Sequence, residues 1–194
     1  MDEIMKKNVE IMKKEFIDNT FFSYAWRDTS QHVRIFKDDV SDEKKKNFRN
    51  FVKKEALKVI EDYKEKEVEY DDHFEVLENV NKNIHDEVNK KYKDKITFSF
   101  GRTQKLVNVL LKYYWCNSML NGHAPAHLPI DSIIIKQVKK QSKEKEIEWK
   151  CDFTWTSMDK DDYKDCIEQI KKIKGNKSFA EWELITYKES VQSH

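Results

Sequence analysis

The sequence predicts a mainly all-α protein, a single multi-helix domain over residues 1–194 arranged around one central buried helix. Three observations point there. Gly and Pro together fill only five of the 194 positions, so the residues that break helices are scarce. Apolar residues recur at three- and four-residue steps along most of the chain, as one face of a helix requires. One segment, about Thr103 to Ser118, is apolar around nearly its whole circumference, which suits a helix at the centre of a fold. With 38% charged residues but also 38% apolar and 12% aromatic ones, the chain has the material for a core and is not a disordered polyelectrolyte.

Met5, Val9, Met12 and Phe16 place an amphipathic helix over the first eighteen residues, expected to pack on the body. The stretch TFFSYAWRDTSQHVRIF that follows is aromatic and irregular in period. From Asp42 to Lys66, Phe48, Val52, Ala56, Val59 and Tyr63 share one face, and from about Asp72 to Tyr92 so do Phe74, Leu77, Ile84 and Val88. Each run reads as a helix. Lys93 to Lys95 then turn the chain into ITFSF. In the central segment Leu106, Val107, Val109, Leu110, Leu111, Tyr113, Tyr114 and Trp115 surround the helix axis. Arg102, Lys105, Asn108 and Lys112 lie among them in a narrow polar stripe. A polar stripe on a buried helix requires partners, a water-filled cleft or a bound polyanion. The loop NGHAPAHLPID carries both prolines, and Asp131 caps the helix that contains SIIIKQV. Met158 to Lys174 and Ser178 to Glu189 form two more helices, the second opened by a Ser178–Glu181 capping box. The acidic group Asp159, Asp161, Asp162 and Asp165 suits a helix N-terminus.

The net charge of +1 is unevenly spread: residues 95–150 hold 10 basic and 4 acidic groups, a basic island within a nearly neutral chain. The cysteines, Cys116, Cys151 and Cys166, are odd in number and lack C-x-x-C spacing. They indicate no disulfide framework and fit a reducing compartment. No apolar run has membrane-span length, and the N-terminus lacks the apolar centre of a signal peptide. A cytoplasmic protein with no membrane partner is the expectation. His123, His127, Cys116 and Asp131 lie near one another in sequence but match no standard zinc spacing, and no nucleotide-binding or serine-nucleophile motif occurs. No metal or other cofactor is expected.

The chemistry-bearing constellation is FGRTQKLVN followed by LPIDSIIIK. It combines a glycine-bearing turn into a buried helix, a lysine on that helix's first turn, and an aspartate after a proline at the next helix. Over residues 97–140 this arrangement resembles the helix-hairpin-helix DNA glycosylases, with the single glycine Gly101 where the family usually has G-x-G. The resemblance implies that Lys105 corresponds to the family lysine and Asp131 to the family aspartate. It further implies that the partner is duplex DNA with its target base flipped out of the stack. Gly101, Arg102, Gln104 and Asn108 then become the DNA contacts. The residue types suit that chemistry. Breaking a C1′–N bond passes through a cationic sugar that a carboxylate stabilises, and a lysine amine can attack C1′ to form a Schiff base. Trp26, Trp115, Trp149 and Trp155 are available to sandwich a base, and spacing alone does not choose among them. Residue by residue, Lys105 equally suits an ordinary first-turn lysine and Asp131 an ordinary N-cap. The alternative function is therefore a non-catalytic helical module that binds nucleic acid or protein, as in host–virus conflict. A third is a scaffold that dimerises through the N-terminal helix.

Overall fold

The buried helix at the centre of the sequence becomes α4 (Phe100–Cys116), and four of the other helices lie against it. The computed structural model describes residues 2–31, 34–149 and 151–192. Among these the chain forms α1 (Asp2–Ser30), α2 (Asp42–Glu65), α3 (Tyr70–Lys91), α4, α5 (Ser132–Glu144), α6 (Lys160–Ile173) and α7 (Phe179–Gln192). The only β pairing among the described residues is an isolated antiparallel bridge between Phe36 and Ile96. None of these helices is long and apolar enough to cross a membrane. The all-α architecture around a central helix is as the sequence predicts.

Every residue of α4 from Phe100 to Leu111 is buried. α1, α2, α3 and α6 contact it, while α5 contacts α6 and α7. The helix starts are set by short side chains that satisfy the free N–H groups of a first turn. Ser41 caps α2 and Ser99 caps α4. Asp159 and Asp162 form a reciprocal capping box on α6, as Ser178 and Glu181 do ahead of α7. The acidic group at 159–165 is thus largely a helix start.

Two sequence expectations are corrected here. α1 does not end near residue 18 but continues to Ser30, so the aromatic stretch TFFSYAWRDTS is helical. Its N-terminal apolar stripe does not pack on the body: Met5, Met12 and Phe16 are 59%, 67% and 71% exposed. The anchoring comes from the second half of the helix, where Phe22, Ala25 and Trp26 are buried and Trp26 stacks on Phe98 with ring centroids 5.9 Å apart. Gly101 is the second correction. It lies inside the first turn of α4, not in a hairpin, and α3 is joined to α4 by the eight residues 92–99. Its role is close approach. A Cβ at this position would stand 1.8 Å from the Trp155 carbonyl oxygen, and its own N–H donates to the Met158 carbonyl at 3.2 Å.

Candidate functional site

The polar stripe of α4 is satisfied in two different ways. Part of it meets internal partners. The Arg102 guanidinium donates to the Thr29 carbonyl at 2.6 Å, in the last turn of α1. Gln104 clamps a peptide unit: its Nε2 donates to the Ile130 carbonyl at 2.7 Å and its Oε1 accepts from the Ile130 N–H at 3.0 Å. Asn108 joins α3 to α6, with its Oδ1 2.9 Å from His73 Nε2 and its Nδ2 donating to Tyr163 Oη at 2.9 Å. Since an amide oxygen only accepts, His73 carries its proton on Nε2 and receives one from Tyr63 at Nδ1, 2.9 Å away. Tyr163 in turn stands 3.1 Å from His127 Nδ1. Burial holds both imidazoles neutral, bringing His73 down to about 4 and His127 well below its ordinary value.

The rest of the stripe faces a cleft. Lys105, Val109, Lys112 and Cys116 recur at steps of four, three and four on one face of α4, and all four line an opening of about 410 Å³. The loop before α5 adds Pro129 and Asp131, α5 adds Ile133 and Ile134, and α7 adds Glu183, Leu184 and Tyr187. This volume lies within the ligand-pocket range of about 300–1,000 Å³.

At one end, Lys105 Nζ stands 3.4 Å from Asp131 Oδ2 and 4.3 Å from the centroid of the Trp155 ring. The Lys105 side chain is 8% exposed and that of Asp131 23%. The two oxygens of Asp131 are divided between tasks. Oδ1 accepts from the Ile133 and Ile134 N–H groups at 3.0 and 3.1 Å, capping α5, whereas Oδ2 is the one nearest Lys105. The Gln104 clamp sets this meeting, because it fixes Ile130 against α4 and the next residue on each side is one member of the pair. At the other end, Lys112 Nζ is 2.9 Å from Glu183 Oε1, with Lys112 lying 5.4 Å from the centroid of the Tyr187 ring.

The sequence-predicted residues therefore separate. Lys105 and Asp131 come together at one opening. Gly101, Arg102, Gln104 and Asn108 do not join them: all four are buried and held inside the fold, which leaves no surface from which they could touch a duplex. The expected DNA contacts at these positions are corrected on that ground. Of the tryptophans, Trp155 lies under Lys105, and the aromatic side chains that line the cleft are Tyr113 and Tyr187. Glu183, Tyr113 and Tyr187, together with Asp28, Gln31 and Leu184, are among the cleft residues that sequence reasoning did not place there. Only Glu183 left a trace in the sequence, as an acidic residue set among the apolar positions of α7. His127 is enclosed by Tyr70, Phe74 and Phe179, and among the described residues no group of three or more His, Cys, Asp or Glu side chains is placed to hold a metal. Compared with known proteins, the chain matches no family model, no curated protein and no solved structure.

Proposed function

We propose that this cleft is the active site of a DNA glycosylase-like enzyme, with Lys105 as the nucleophile and Asp131 as its acid–base and electrostatic partner. The observation that supports the reading is the 3.4 Å approach of Lys105 Nζ to Asp131 Oδ2 at an opening that a small ligand can enter. In the reaction the Lys105 nitrogen bonds to C1′ of an everted nucleotide, and the C1′–N bond to the base breaks. The bonding pair leaves with the base. Asp131 Oδ2 faces the positive charge that develops on the sugar, accepts the proton that the amine sheds and passes it to the departing base. Opening of the resulting sugar ring gives the Schiff base. Phosphates stay outside the cleft. Their contacts fall to the exposed lysines of α5, Lys136, Lys139, Lys140 and Lys143, which belong to the basic island.

The non-catalytic reading draws on a separate observation, the same row of α5 lysines, which needs no chemistry to bind a polyanion. The two separate on base release. Duplex oligonucleotides carrying a panel of modified bases are incubated with the native protein and with Lys105→Ala, Asp131→Asn and the surface control Lys172→Ala. The enzyme reading expects release of at least one base by the native protein and by Lys172→Ala. It expects at least about a hundredfold less from Asp131→Asn, whose DNA binding is retained, and none from Lys105→Ala. Salt-dependent DNA binding with no base released by any of them leaves the binding module.

A further inference from the structure

The far end of the cleft holds a group that the reaction above does not use. The Glu183 side chain is 3% exposed, and its Oε1 is taken by Lys112. Its Oε2 is buried and has no hydrogen-bond partner among the described residues. A desolvated carboxylate oxygen left without a donor is costly, and native structures rarely leave one without a reason. Here it belongs to a residue in the wall of an open cleft, next to a lysine with N–H donors to spare. Burial holds the Glu183 carboxyl above its ordinary value, and Lys112 offsets only part of that rise.

We infer that Glu183 and Lys112 read the everted base: the Glu183 carboxylate turns its free Oε2, buried in the cleft wall, toward the opening to accept a hydrogen bond from a ring N–H, and Lys112 donates to the carbonyl beside it. This rests on the glycosylase reading of the cleft, and it names the substrate class as bases with a lactam edge. Placement supports it. Lys105 and Lys112 are seven residues apart on α4, about 10 Å along the axis, so the sugar at Lys105 and the outer edge of the base at Glu183 occupy opposite ends of one opening. Tyr113, Leu184 and Tyr187 supply apolar and aromatic wall between them. Charge supports it too. The lining has two lysines, Lys105 and Lys112, against three carboxylates, Asp28, Asp131 and Glu183. That balance repels a phosphate and favours a neutral N–H donor.

The test uses the native protein, Glu183→Ala and Glu183→Gln, each checked for native-like thermal melting. Borohydride trapping on abasic duplex has no base to read and reports on Lys105 alone. Trapping is expected within about twofold of native for both variants. Single-turnover release is then measured for hypoxanthine against 1-methylhypoxanthine and for uracil against 3-methyluracil, pairs that differ by the lactam N–H. The native protein is expected to favour the unmethylated base of at least one pair by roughly tenfold to a hundredfold, the worth of a hydrogen bond to a charged group. In Glu183→Ala that preference falls toward unity. If the native protein forms no adduct with abasic DNA, the glycosylase reading itself fails and this inference goes with it. If trapping occurs but the native protein releases none of these bases, or Glu183→Ala keeps the native preference, the assignment to Glu183 alone is overturned. Loss of trapping in a well-folded Glu183→Ala makes Glu183 a positioning group for the cleft and also overturns base reading.

Discussion

At the scale of single residues, the decisive event is a clamp that no sequence pattern announces. Gln104 holds both polar groups of Ile130, and the two residues that follow, Lys105 and Asp131, then meet. Replacing Gln104 with Leu leaves a buried N–H and a buried C=O without partners. It is expected to lower unfolding free energy by about 2–4 kcal/mol and to slow base release even at a temperature where the variant is fully folded. Urea titration and single-turnover kinetics check the two halves. Gly101→Ala pushes a methyl against the Trp155 carbonyl, which belongs to the backbone and has little room to retreat. A loss of about 3 kcal/mol or more is expected in the same titration, and a native-like midpoint would contradict the close approach. Lys105 and Asp131 stood out by residue type and by the glycine turn and the Pro-x-Asp around them, and the structure brings their side chains to one opening. Arg102, Gln104 and Asn108 have the right type to touch DNA, but two of them, Arg102 and Gln104, bond to main-chain groups at Thr29 and Ile130, and a backbone carbonyl has no letter in the sequence. Asp131 reads from the sequence both as a cap and as a stabilising carboxylate, and its two oxygens divide those places: Oδ1 caps α5 while Oδ2 stands by Lys105.

At the scale of the element, periodicity located α2, α3 and α6 to within a few residues because each has one wet and one dry face, whereas a capping residue marked the start of α5 and a capping box that of α7. α1 shows where that signal stops. A stripe of Met5, Val9, Met12 and Phe16 establishes that a helix has an apolar side, but not that the body reaches it. The apolar side chains of the N-terminal half of α1 stay exposed. Met12→Ser combined with Phe16→Ser is therefore expected to change stability by no more than about 0.5 kcal/mol. Trp26→Ala, in the buried half of the same helix, is expected to cost about 3–5 kcal/mol. Chemical denaturation of the two variants side by side checks the contrast. A large loss from the Met12 and Phe16 pair would mean that the N-terminal turns are covered after all.

At the scale of the whole molecule, α4 joins the fold and the site: one side anchors α1, α3 and α6, and another lines the cleft. The buried histidines make this centre sensitive to acid. His73 releases its proton at about 4 in the folded state, against an ordinary value of 6.5, so between these values the unfolded chain binds a proton that the folded one refuses. Stability contributed by the neutral imidazole is present above pH 6.5 and is lost as the pH falls. His73 alone accounts for about 2 kcal/mol between pH 7 and pH 5, and His127, shifted the same way, adds to it. Urea midpoints measured at pH 7 and pH 5 should fall accordingly, and a flat profile would contradict the neutral, hydrogen-bonded network. The central claim is that a nucleophilic amine and its carboxylate partner serve one opening. It is tested most directly by reducing the native protein with borohydride in the presence of abasic duplex and locating the adduct by peptide mass mapping. The account predicts a single DNA-linked peptide containing Lys105, absent from Lys105→Ala and undiminished in Lys172→Ala. No adduct at all, or one spread over the surface lysines and unaffected by Lys105→Ala, would contradict it.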